Sequence, residues 1–462
     1  MGGQGTIVIM LAWMVLSLAC RDPRPMASPE APNILLISLD TVRRDHLSPY
    51  QYERDTSPHL STLAQSGATF THSYAQASAT TPTHASIFTG LHPFEHEAYG
   101  YSRELLPEQV TMAEILRDHG WRTVAATSSM KFERGTGFQQ GFDDYNLHGE
   151  GKKNKRSAAV NESIIRFAAA QGDRPVFAFV HYFDAHAPYS APAPYRKMWH
   201  PGLEEPHPTK TIDFIERNRR ADVPAETLEY LAALYDGNIR FVDDNLRALL
   251  EGISIGNERS TLLIITADHG EAFGEHGYLG HSTWVYEEIV QVPLIMHWPG
   301  HIPAGIQLDA AVQSIDLLPT LGELVGVAVP EGLPGRSHAG AVLGGPATAA
   351  RTVGEVSDPV IMFNRPKWWG ISGTIAGGRY KLTRHGADDP ELFLTTVDSR
   401  ASLDIIAQHQ REASLLMQAA QAMGVPLSAK SEQLAENVRT LSEEQIEQLK
   451  AMGYIDEIET TP

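Results

Sequence analysis

The stretch Asn33-Ile34-Leu35-Leu36-Ile37-Ser38-Leu39-Asp40-Thr41 decides the fold. From Ile34 to Leu39 it is apolar apart from Ser38, without the polar alternation of a strand that has one wet face. A short continuous run of this kind suits a parallel strand covered on both sides. It ends abruptly on an acid. Runs of the same character stand at residues 123–126, 176–180, 262–265 and 293–296. Between them, apolar residues at helical spacing predict helices over 58–66, 112–118, 158–170 and 228–250. Strands alternating with helices indicate an α/β domain with a large, mostly parallel sheet. Ligands of such sheets bind beyond the carboxyl ends of the strands.

Those ends carry the unusual polar residues. The first strand runs into Asp40-Thr41, a later one into His181-Tyr182-Phe183-Asp184-Ala185-His186, and another into Thr266-Ala267-Asp268-His269-Gly270. One acid after a strand commonly caps the next helix. Three acidic ends, two with histidine alongside, point to a metal-centred site.

After about residue 350 the rhythm changes. Residues 370–375 and 379–382 read as short antiparallel strands with glycine turns, followed by helices near 413–423 and 442–452. The expected division is a catalytic domain over 33–350 and a smaller α+β subdomain over 351–462. No internal repeat is visible.

Among the 462 residues, 42% are hydrophobic and 20% charged, as in an ordinary globular protein. The formal net charge of −19 argues against a nucleic-acid partner, because no basic surface is available to displace counterions. It also means that an anionic substrate needs strong local positive charge, such as a bound cation. Cys20 is the one cysteine, which excludes an intramolecular disulfide. Residues 7–19 are almost wholly apolar and too short to span a ~30 Å hydrocarbon core comfortably. They suit the apolar region of a secretory signal, although residues 1–6 carry no Lys or Arg. Leu16-Ser17-Leu18-Ala19-Cys20 resembles a bacterial lipobox, which predicts a signal over 1–20, lipidation at Cys20 and a Pro-containing tether over 21–32. The expected location is the bacterial cell envelope, as a periplasmic or outer-membrane lipoprotein. A plain signal peptide with an incidental cysteine is the alternative.

The segment Thr80-Thr81-Pro82-Thr83-His84-Ala85-Ser86 reads as a helix start, with threonine at the cap, proline at the first helical position and Gly90 at the far end. A hydroxyl there sits among unpaired N–H groups at the positive end of the helix dipole, a place that favours oxyanions. Taken alone, such a threonine is more often a simple cap.

Residues 33–40, the 80–90 helix and Ala267-Asp268-His269-Gly270-Glu271 together resemble three blocks of the sulfatase family, in the same order and at similar separation. Val292-Pro293-Leu294, Trp298-Pro299-Gly300, Asp316-Leu317-Leu318-Pro319-Thr320 and Leu449-Lys450-Ala451-Met452-Gly453-Tyr454 extend the resemblance to about residues 33–455. It implies an alkaline phosphatase-like sandwich and an ester hydrolase. The departures are as informative as the matches. The family converts the first residue of Cys (or Ser)-x-Pro-x-Arg to formylglycine; here that residue is Thr80, which cannot yield the aldehyde, and His84 replaces the arginine. Thr41 stands in place of a second metal-binding aspartate. The family's lysine-x-histidine element is missing, with Lys131 a weak substitute.

Relatives in the same superfamily use an unmodified threonine. The resemblance therefore implies Thr80 as a metal-bound nucleophile, with Asp40, Thr80, Asp268 and His269 forming one metal site. Asp184, His186 and His281 could form a second. Mixed Asp and His donors favour Zn2+ or Mn2+, with Ca2+ the alternative. His84, His186 and His281 are candidate catalytic residues. His84 either contacts the substrate oxyanion or is a buried structural histidine, and His181 and His276 read as outer partners of the ligands. Lys367-Trp368-Trp369 either lines the pocket or, for at least one tryptophan, packs in the core. The expected substrate is a small-molecule or glycan ester of sulfate or phosphate. The competing readings are an ordinary arylsulfatase-type enzyme with Ca2+ and an inactive lipid-anchored glycan-binding protein.

Overall fold

The computed structural model describes residues 27–426 apart from 29, 100–102, 149–155, 173, 201–214, 216–222, 255–259, 366–367, 386–388 and 399–402. Cys20, the tether to residue 26, Lys367 and the closing segment 442–454 lie outside the described residues, as does most of the loop between 191 and 225.

The first six strands are β1 Asn33–Leu39, β2 Ala68–Tyr74, β3 Arg122–Thr127, β4 Asp144–Leu147, β5 Val176–Tyr182 and β6 Thr261–Thr266. They are followed by a short hairpin, β7 Ala272–Phe273 and β8 Leu279–Gly280, then by β9 Leu294–His297 and β10 Ile306–Gln313. Eight of these form one sheet in the order β10-β2-β9-β6-β1-β5-β3-β4. Strand β9 pairs antiparallel with both β2 and β6, and the remaining pairs are parallel. The large, mostly parallel sheet expected from the apolar runs is therefore present. All seven residues of β1 are buried. Leu35, Ile37 and Leu39 pack on one face with the long helix Ala225–Ser254, while Ile34 and Leu36 pack on the other, with the helix Thr80–Thr89. A sheet covered on both sides has no wet face, which is why its central strands lack alternation.

Strands β2 and β10 are not legible as apolar runs. Burial along β10 alternates over its first residues, as befits an outer strand. The helix predicted over 58–66 spans Pro58–Gln65, and that over 112–118 is Met112–Asp118, closed by a capping box between Thr111 and Glu114. No described helix is long and apolar enough to cross a membrane.

A second, antiparallel sheet follows: β11 Thr352–Val353, β12 Val356–Arg365, β13 Trp368–Ile375, β14 Gly378–His385 and β15 Glu391–Leu394. Helix Gln410–Ala422 packs against it through Leu416, Ala419 and Ala420. Trp369 is 1% exposed and belongs to this core, not to a pocket. The sheet is moored to the first part of the fold by the segment 284–291. The buried Lys381 ammonium lies 3.3 Å from Glu287, Tyr286 donates to Glu391 at 2.5 Å, and His276 stacks on Tyr286 at 3.7 Å.

Candidate active site and metal centre

Strand β1 has β5 on one side and β6 on the other, so the chain leaves the middle of the sheet in two directions. The crevice at such a reversal is where α/β sheets bind ligands. In-register pairing of Ser38 with both His181 and Thr266 brings the ends of three strands level. Asp40, the 181–186 segment and Asp268-His269 are thereby delivered to one place.

Asp40, Asp268 and His269 are fully buried, and their donor atoms lie within 4.8 Å of one another, close enough to share a cation. Both oxygens of Asp40 and Oδ2 of Asp268 have no hydrogen-bond partner. Burying a charge without a partner is costly, so these orphaned oxygens fit a bound divalent cation. Side by side, the two carboxylates compete. Burial and the neighbouring Asp268 push Asp40 well above the usual carboxylate range. Burial also acts to raise Asp268, but His269 and His84 hold it down at about 2. The Lys131 ammonium, buried in the turn after β3, pulls Asp40 the other way. The lysine that looked like a weak substitute in the sequence thus acts electrostatically on the centre.

Thr41 adopts a left-handed conformation with φ 60°, rare for a β-branched residue. Its N–H donates to Asp268 Oδ1 at 3.2 Å, its hydroxyl to Asp40 O at 2.7 Å, and its carbonyl accepts from Tyr235 at 2.7 Å. It holds the turn together.

Helix Thr80–Thr89 begins two residues earlier than a start with Pro82 at its first position. Ala79, extended at φ −147° and ψ 152°, occupies the cap, and no side chain caps the helix. Thr80 is consequently in the first turn, with its Oγ1 3.4 Å from His269 Nε2. His84, one turn on, donates through Nδ1 to Thr80 O at 2.8 Å and accepts at Nε2 from Ser38 at 2.9 Å. Both of its nitrogens are engaged within the chain, and burial lowers its pKa to about 3. The ring thereby anchors the carbonyl of Thr80.

Three imidazoles share one arrangement. The Nδ1 of His269 donates to Gly270 O at 3.0 Å, that of His186 to Ala187 O at 2.6 Å, and that of His281 to Glu271 Oε1 at 2.9 Å. These bonds place the proton on Nδ1 and make Nε2 the basic atom, as in metal-ligating or base histidines. The rings of His269 and His281 are 4.4 Å apart, and those of His281 and His186 5.0 Å. Asp184 does not join them in a three-donor group among the described residues. It accepts from Ser157 at 2.5 Å instead.

Sequence reasoning passed over Glu271 and Tyr189. Glu271 is buried and bridges His281 and the Tyr189 hydroxyl, the latter at 3.1 Å. Its place three residues after Asp268 was visible, but nothing in the sequence showed which histidine it would meet. His276 instead pairs with Glu288 at 2.8 Å, on the side facing the second sheet.

A family model described as Sulfatase matches residues 32–327. The chain belongs to the sulfatase family. Among curated relatives of this sulfatase-family protein, the ulvan-active sulfatase of Formosa agariphila is 25% identical over 363 residues, 71% of this chain and 69% of that one. Human arylsulfatase A is 29% identical over 351 residues, 66% of each chain. Among solved structures, the phosphonate monoester hydrolase of Agrobacterium radiobacter superposes with a TM-score of 0.71 at 21% identity, covering 85% of this chain and 95% of its own. The sulfatase-family chain is an ester hydrolase of the alkaline phosphatase superfamily, and its fold is that of the superfamily.

Proposed function

We propose that this sulfatase-family hydrolase cleaves phosphoric esters, mono- or diesters, through a covalent intermediate on unmodified Thr80. The observation that carries the reading is the Thr80 hydroxyl in the first turn of an uncapped helix, 3.4 Å from His269 Nε2 and beside orphaned Asp40 and Asp268. Those three ligands, with Thr80, would hold a divalent cation. Two carboxylates and an imidazole suit Zn2+ or Mn2+ better than Ca2+. Such a cation neutralises the ester's charge and lowers the pKa of an oxygen beside it.

The rest is the work of the chain. The positive end of the helix dipole favours the phosphoryl oxygens, and the hydrogen bond from His84 to Thr80 O fixes the nucleophile's backbone. Thr80 Oγ1 bonds to phosphorus while the bond from phosphorus to the ester oxygen breaks. His281, next to His269 and backed by the Glu271 carboxylate, takes the hydroxyl proton and returns it to the departing oxygen, with His186 packed against it. Water then attacks phosphorus, the bond to Thr80 Oγ1 breaks, and the hydroxyl is restored. A second cation on Asp184, His186 and His281 is the alternative use of these histidines, and it requires Asp184 to leave Ser157.

Sulfate-ester hydrolysis is the second reading, favoured by the relatives named as sulfatases, one of them active on ulvan. Sulfated threonine is released less readily than the hydrate of an aldehyde, which is why phosphate is placed first. An inactive binding protein would have no use for buried carboxylates without partners. We place the protein in the cell envelope, anchored through Cys20; Cys20→Ala is expected to release it from membranes or block its maturation. The deciding assay sets aryl phosphate, phosphodiester and aryl sulfate side by side, with wild type and Thr80→Ala. Sulfate turnover that survives loss of Thr80 refutes the covalent route.

A further inference from the structure

Five unsatisfied atoms converge beside the centre: both oxygens of Asp40, Oδ2 of Asp268 and both ring nitrogens of His181. His181 is fully buried at the end of β5. Its Nε2 lies 3.1 Å from Asp40 Oδ2, yet without the alignment of a hydrogen bond. Strand alternation puts it on the face of Phe177 and Phe179, the face covered by the helix of Thr80. His84, His181 and Asp268 also form a three-donor group within 4.8 Å. His84 cannot contribute, because its nitrogens already serve Thr80 O and Ser38. His181 has no such engagement.

An imidazole and a carboxylate buried edge to edge, both without partners, are resolved together by one cation between them. We propose that His181 is a further ligand of the divalent cation held by Asp40, Asp268 and His269. The inference rests on the cation reading above and deepens it, since a second nitrogen donor moves the preference further from Ca2+ toward Zn2+.

X-ray absorption on zinc-loaded wild-type protein counts the imidazoles at the metal. Two are expected, falling to one in His181→Ala. Chelator competition should show zinc affinity weaker by about 100-fold in that variant, with thermal unfolding of the metal-free variant confirming that it is folded. One imidazole in wild type, or wild-type zinc affinity in a folded His181→Ala, overturns the inference and leaves the cation reading intact. Wild-type protein that takes up no divalent cation defeats that reading itself. If His181→Ala does not fold, the wild-type imidazole count still decides.

Discussion

Thr80 Oγ1 and His269 Nε2 face each other across 3.4 Å, although 189 residues separate them in the chain. One comes from the start of a helix and the other from the turn after β6. The contact exists because Ala79, not a threonine, occupies the helix cap. A hydroxyl at the cap would have been spent on the helix's own N–H groups.

Thr80→Ala should therefore lower turnover on the order of 10⁴-fold or more. Thr80→Ser should retain a measurable part of it. Steady-state assays on aryl phosphate and phosphodiester, with trapping of phosphothreonine after an acid quench, provide the check. Full activity in Thr80→Ala would remove the residue from the chemistry.

Asp40→Asn and Asp268→Asn should each lose the bound cation, read by elemental analysis of purified protein, and lose turnover with it. In the metal-free state neither should lower the melting temperature substantially, because each removes a buried carboxylate oxygen without a partner. Wild type should gain about 2.7 kcal/mol at a cation concentration 100 times Kd, and the variants should gain nothing.

His186→Ala combined with His281→Ala separates the two uses of those histidines. If they move protons, the double variant keeps its cation content and loses kcat with a flattened pH profile. If they hold a second cation, the content falls from two to one.

In the proposed reaction Glu271 acts through His281, as a positioning residue. Glu271→Gln preserves the shape but removes the charge that supports the Nδ1 proton, so kcat should fall by about 10- to 100-fold with KM little changed. The pH profile should shift toward acid, because an imidazole without its carboxylate is less basic. An unchanged profile would show that the contact only packs.

His92 and His96 give the fold an acid limit away from the centre. Burial lowers their pKa values to about 4 and about 3, against 6.5 in the unfolded chain. His96 accepts from Ala98 N–H at 3.0 Å, and His92 stacks on Phe94. Both stay neutral in the fold while the unfolded chain takes up protons below 6.5. Their contribution is whole above that value and is lost as pH falls through their folded values, by about 2 kcal/mol each at pH 5. Urea unfolding at pH 7.5 and 5.0 measures it, and His96→Gln should reduce the pH dependence by about one proton.

The sheet was legible where its strands are buried on both faces, as at 34–39 and 262–265, because sequence and environment are then uniformly apolar. It was not legible at β2 and β10, whose partly wet faces dilute the pattern. Of the three acids at the strand ends, the fold brings Asp40 and Asp268 together, with His269, and leaves Asp184 on Ser157. His181 did not stand out from His276, since both are histidines a few residues from a motif. Register with Ser38 sends the first into the crevice, and stacking on Tyr286 takes the second to the other sheet. The helix start was misplaced because threonine and proline preferences describe a self-sufficient cap, and this helix has none.

The mooring of the second sheet bears on how the protein can be divided. Gly270 N–H donates to Ile289 O at 2.6 Å, and a Cβ at Gly270 would stand 2.0 Å from Glu288 O. The turn carrying Asp268 and His269 thus rests directly on the segment that Lys381 and Glu391 hold from the far side. Cutting the gene near codon 350 would uncover Glu287 and free the support of that turn. The stretch matched by the family, ending at residue 327, would therefore lack part of what supports its own Asp268-His269 turn.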